Sequence, residues 1–161
     1  MHAPGHVGTA LLVYSPIGLV LLLVGFDELA VLGGVGMVAL ATFPDCDHRL
    51  PVVSHRGPTH SILFALAVGA GLASAGFLFG EIAAVRPGVM AAFAFAIGAL
   101  AILSHLAADS ITPMGIRPLW PLSRWHYSAD IVRAKNPIAN YLLLAVGLAA
   151  ATGALVVAAT V

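Results

Sequence analysis

Imidazoles and carboxylates are concentrated in two short stretches of this chain. The first is FPDCDHRLPVVSHRGPTHS, from Phe43 to Ser61, which carries Asp45, Asp47, His48, His55 and His60 with Arg49 and Arg56 among them. The second is SHLAADS, from Ser104 to Ser110. In it His105 and Asp109 stand four residues apart, so on a helix they share a face one turn from each other. Imidazole nitrogen and carboxylate oxygen are the common ligands of zinc and related divalent ions. A hydrogen-bonded His/Asp pair at a helix end would give the same spacing. The second cluster on the same side favours metal. Asp45 and Asp47, two carboxylates in a three-residue turn, suit a divalent ion, and either could bridge two ions or act as a base. The alternative for them is a solvated loop after Pro44. His6 is a further candidate ligand, whereas His2 and His48 are not assigned roles.

His60 is expected in the first turn of a helix opened by Gly57 and Pro58. The positive end of that helix, with Arg56 and Thr59, could hold a phosphate or carboxylate. Arg56 as a plain cationic membrane anchor is the competing reading. Cys46 is the single cysteine, so no disulfide forms within the chain. It is either a thiolate ligand between two aspartates or an ordinary interfacial thiol.

The elements that must position these groups are membrane helices. The chain is 60% hydrophobic and 9% charged, whereas soluble domains carry about 25% charged residues. Its net charge is zero, which leaves no global field to attract nucleic acid. The start, MHAPGHVGTA, lacks the basic residues of a signal peptide. Five apolar segments can be drawn, near Val7–Phe26, Leu29–Phe43, Thr59–Gly80, Gly88–Ser110 and Ile138–Val161. Pro16 should kink the first. The second is short for a span of about 20 residues, and Pro44 is expected to stop it. Small residues in GAGLASAG allow close helix contact in lipid. Uninterrupted apolar runs without alternation select helices over a barrel. The expected fold is therefore an all-α integral membrane bundle of about five transmembrane helices, a single domain over residues 1–161.

Threading five spans puts His6, the Asp45–His60 stretch, His105, Asp109 and the loop after Pro113 on one side. Arg49, Arg56, Arg117, Arg124, Arg133 and Lys135 fall on that side too, against Arg86 on the other. The positive-inside rule then makes it cytoplasmic, with the N-terminus inside and the C-terminus outside. In the loop after Pro113, Trp120, Trp125 and Tyr127 alternate with Arg117, Arg124 and Arg133. This composition reads as an interfacial belt, with a bound anionic lipid headgroup as the sharper alternative. His126 belongs to that belt.

An early His6, FPDCDH, HRGPTHS and SHLAADSITPMGIRPLWPLS occur in this order over most of the chain. In these pieces the sequence resembles the YdjM-type family of predicted membrane-bound metal-dependent hydrolases. The family is similar in motif style to the all-helical zinc phospholipase C and nuclease group. There, His and Asp ligands, including an HxxxD pair, hold a small zinc cluster that hydrolyses phosphoesters. The resemblance implies a helical bundle with His6, Asp45, His60, His105 and Asp109 as metal ligands, zinc being the first expectation. It implies hydrolysis of a phosphoester or lipid at the cytoplasmic membrane face, where the metal supplies an activated water. Asp47 or His55 would take or relay a proton, and Arg56 would stabilise developing negative charge. The contrasting class is a metal-stabilised membrane scaffold or regulatory protein without catalysis. An ion carrier is disfavoured, because its ionisable groups should sit near the midplane rather than gather at one end.

Overall fold

The computed structural model describes residues 1–49, 56–83 and 85–161, with side chains 48 and 49 excepted. Among the described residues the chain is all-helical, with one isolated bridge between Ile116 and Tyr127. Five helices form: α1 Ala3–Leu23, α2 Asp27–Leu40, α3 Ile62–Ile82, α4 Pro87–Ser110 and α5 Pro137–Thr160. Four of them have the length and apolarity to cross a membrane alone. The fifth span is α2 together with the turn that follows it, Asp27–Asp47.

α2 ends at Leu40 because Pro44, four residues on, has no N–H to give the Leu40 carbonyl. The chain does not stop there, however. It continues as a 3₁₀ segment, Phe43–Arg49, with Pro44 buried inside it. Sequence reasoning ended the span at Pro44; the 3₁₀ segment instead carries Asp45 and Asp47 onward at the span's end. α3 also begins later than expected. Ser61 is extended and caps it, its hydroxyl oxygen accepting from Phe64 N–H at 3.1 Å. His60 therefore lies outside α3, in a separate 3₁₀ turn, Pro58–His60.

α3 packs along α4 and α1 along α5, while α2 leans on both α1 and α4. Helices in lipid gain little from the hydrophobic effect, so close backbone approach carries more of the packing. Gly76 of α3 is so near α4 that an added Cβ would come within 2.6 Å of the Met90 carbonyl oxygen. Gly8 of α1 lies directly against the Leu143 backbone of α5. Ala10, Tyr14, Met37, Ala41, Ile97 and Ala101 form the core between α1, α2 and α4. Polar groups inside it are satisfied within the protein. The Tyr14 hydroxyl, for example, donates to the Ala30 carbonyl at 2.6 Å.

Candidate metal centre

Four chain segments deliver side chains to one end of the bundle. α1 supplies His6 on its first turns, and the 3₁₀ segment after α2 supplies Asp45 and Asp47. The turn before α3 supplies His60, and the last turns of α4 supply His105 and Asp109. His6, His60 and His105 are wholly buried and Asp109 is 1% exposed; Asp45 is 27% exposed and forms the open edge. Asp near the centre of a lipid-embedded helix costs about 2.5–3.5 kcal/mol even on lenient insertion scales. Such groups persist where they face partners of their own kind.

Backbone and side-chain hydrogen bonds aim the rings. In an α-helix the Ala41 carbonyl would accept from Asp45 N–H. The tighter 3₁₀ turn sends Asp45 N–H to Thr42 O instead, at 3.1 Å. Ala41 O is thereby freed and meets His105 Nδ1 at 2.8 Å. This makes Nδ1 the protonated nitrogen and turns the Nε2 lone pair into the cluster. His60 is aimed by the same logic. Thr59 Oγ1 gives its proton to Asp47 Oδ2 at 2.7 Å, so at His60 Nδ1, 2.9 Å away, it acts as acceptor. His60 Nε2 then also faces inward.

The resulting separations suit a metal ion. His60 Nε2 and His105 Nε2 are 3.2 Å apart. His60 Nε2 lies 3.6 Å from Asp45 Oδ1 and 3.4 Å from Asp109 Oδ2. His105 Nε2 lies 3.5 Å and 3.7 Å from the same two oxygens. Four ligands at zinc distances of about 2.0–2.1 Å would stand about 3.3–3.4 Å apart at the corners of a tetrahedron. Asp109 Oδ2 is buried without a hydrogen-bond partner among the described residues. Two inward-facing lone pairs 3.2 Å apart repel unless a proton or an ion lies between them. Burial pushes the His60 pKa down, but Asp109, Asp45 and Asp47 outweigh it and raise the value. A proton thus favours this position when no ion holds it. A further set, one atom each from His6, Asp45, His105 and Asp109, lies within 4.8 Å. The His6 ring stacks on His105 with centroids 3.7 Å apart.

Asp47 is 2% exposed and stands behind His60, its Oδ2 3.4 Å from Nδ1. It also accepts from the Arg56 backbone N–H at 3.2 Å. Arg56 adopts a left-handed backbone, φ 60°, the kind of local strain that collects at functional sites. Its Nη1 donates to Thr112 Oγ1 at 3.0 Å and to the Gly115 carbonyl at 2.8 Å, while Nη2 meets Asp109 Oδ1 at 3.0 Å. His55 lies outside the described residues. The structure thus gathers His6, Asp45, His60, His105 and Asp109, with Asp47 and Arg56 one layer behind.

Sequence reasoning did not single out Thr112, Gly115, the Ala41 carbonyl or Met1. The Met1 amino group lies against Asp109 Oδ1, and its carbonyl oxygen is 3.0 Å from His6 Nε2. Backbone groups leave no residue-type signal, so spacing alone could not find them. Thr59 was read as a contact to a phosphate or carboxylate; the carboxylate its hydroxyl meets is the protein's own Asp47, and the same oxygen also faces His60. Adjacency to His60 in GPTHS was the available cue.

The fold and site define a five-span helical membrane protein with a buried His/Asp cluster, at one end of the bundle, that could hold a metal ion. The chain belongs to the YdjM inner membrane protein family, whose model matches residues 1–161. No curated protein and no solved structure matches it.

Proposed function

We propose that residues 1–161 act as one unit, a membrane-bound metal-dependent hydrolase working on a phosphoester or lipid at the cytoplasmic face. The observation that carries this reading is the convergence of three ring nitrogens and two carboxylates at one end of five spans. His60 Nε2, His105 Nε2, Asp45 Oδ1 and Asp109 Oδ2 would hold a divalent ion, zinc first, and His6 stands beside them. Bound there, the ion would supply Lewis acidity and an activated water.

The chain's own residues do the rest. Ala41 O and the Thr59–Asp47 pair fix which nitrogen each histidine presents. Arg56 holds Asp109 and places a fixed positive charge beside the site, where negative charge develops in ester hydrolysis. Asp47 orients His60 and accepts proton density through it. His55 is retained as the other proton-handling candidate. Asp45, the exposed member, marks the side from which a lipid-borne or soluble ester would approach.

A second reading, a metal-stabilised scaffold or regulatory protein, is favoured by the burial of all three histidines. Structural metal sites are closed, and catalytic ones keep a position open. A screen of detergent-purified protein on phosphoester and acyl-ester substrates, before and after metal stripping, separates the two. The hydrolase reading expects metal-dependent turnover that is lost in His105→Ala. Full metal content without metal-dependent turnover of either ester class supports the scaffold.

A further inference from the structure

α1 and α5 meet most closely near the metal centre, where Gly8 and Gly147 bring their backbones together. Gly147 is also the last buried residue of α5. Beyond it a cavity of about 510 Å³ opens, lined by α1 (within residues 11–22), α2 (30–39) and α5 (151–155). In each of these spans the lining starts near the middle and runs away from the metal centre. Along α1 it extends about 16 Å, at about 1.5 Å of rise per residue. That is the depth of one leaflet, half of a hydrocarbon core about 30 Å thick.

The lining is apolar. Its two hydroxyls are already committed: Tyr14 donates to the Ala30 carbonyl at 2.6 Å, and Ser15 to the Leu11 carbonyl at 2.7 Å. A polar occupant would lose its hydration there and find no free donor in exchange. Shape narrows the occupant further. Spread over about 16 Å, this volume gives a cross-section of about 30 Å². A helix with its side chains, about 10–12 Å across, needs about 80–110 Å². A hydrocarbon chain fits and a helix does not.

We propose that this groove binds one hydrocarbon chain of a bilayer lipid from the leaflet opposite the metal centre. The methyl end of the chain lies near Leu11 and its ester end near Leu22. Tyr14 is a rigid part of the wall, because Gly18 and Gly34 pack on its ring; a Cβ at either would stand 3.0 or 3.3 Å from Cε1. No hydrophobic gain separates lipid from groove inside a bilayer. What holds the chain is the van der Waals contact it restores between walls that do not meet. The inference rests on the five spans and not on metal binding.

Depth-resolved photolabelling tests it. Full-length protein is reconstituted in phosphatidylcholine vesicles with a trace of the same lipid carrying a diazirine, either at the chain end or beside the ester. Adducts are mapped by peptide mass spectrometry. The chain-end probe should label near Leu11 and Val38, and the ester-side probe near Leu22 and Leu155. Both should exceed severalfold the labelling of Val146 and Val157, exposed residues of α5 outside the groove. Ala154→Phe, which fills the groove from its α5 wall, should remove the groove adducts and keep those at Val146 and Val157. Groove labelling no higher than at Val146 and Val157 is ordinary boundary lipid and overturns the proposal, as do groove adducts that persist in Ala154→Phe. A reversed order of the two probes overturns it too, since the chain then enters from the metal centre's leaflet. A groove that stays unlabelled also overturns it and gives the space to a second copy of the chain. The unaltered protein decides the matter even where Ala154→Phe fails to fold.

Discussion

Asp45 and Asp47 are two residues apart, and their surroundings separate their roles. Asp45 reaches three ring nitrogens and stays partly exposed. Asp47 is buried behind His60, where it accepts from Thr59 and from the Arg56 backbone. A group that orients a ligand from behind costs about 10–100-fold in metal affinity or activity when altered. Asp47→Asn should therefore weaken metal binding by about that factor without abolishing it, whereas Asp45→Asn should remove most of the metal. Titration against a chelator of known affinity measures both. Equal and complete loss in the two variants would place Asp47 among the direct ligands. The likeness of the two carboxylates in sequence hides this division, because it depends on which atoms of His60 each one meets. The HxxxD pair, by contrast, was legible from helical spacing alone.

Two interruptions in the helices shape the centre more than the helices themselves. Pro44 ends α2 early, and the 3₁₀ turn that follows redirects Asp45 N–H and releases the Ala41 carbonyl for His105. Ser61 caps α3 and leaves His60 in its own turn beside Asp47. The apolar runs disclosed five spans, since lipid demands long uninterrupted segments. They could not disclose where a 3₁₀ turn replaces an α-turn, because both bury the same residue types. The α1–α5 contact carries His6 into place and relies on glycine. A side chain at Gly8 would strike the Leu143 backbone, whereas Gly153 has open space around it. Gly8→Val should destabilise the bundle by about 1–3 kcal/mol, the usual cost of overpacking. Gly153→Ala should leave stability unchanged or raise it by about 0.5–1 kcal/mol, the helical preference for alanine. Thermal melts in one detergent compare them. Equal melting temperatures for Gly8→Val and the parent would remove the close contact from the account.

At the scale of the molecule, alternating spans bring the start of α1, the ends of α2 and α4 and the start of α3 to one face. We propose that this face is cytoplasmic, because Arg117, Arg124, Arg133 and Lys135 lie on its loop and Arg86 lies opposite. With Cys46 replaced by serine, Leu122→Cys should escape a membrane-impermeant thiol reagent in intact cells and Val85→Cys should react. Both positions are exposed. The opposite labelling pattern would invert the topology. Each site segment was visible in the sequence as a polar patch beside an apolar run. Their convergence needed the packing, because residues as far apart as His6 and Asp109 meet only when α1 and α4 lie side by side. The claim on which the account depends is that this convergence binds metal. Elemental analysis of purified protein beside His105→Ala and Asp109→Ala tests it most directly, with circular dichroism to follow the helices. Bound divalent metal in the parent, and its loss from both variants at preserved helicity, is the predicted result. Unchanged metal content in both variants, or no metal in a parent reloaded with zinc, would contradict it.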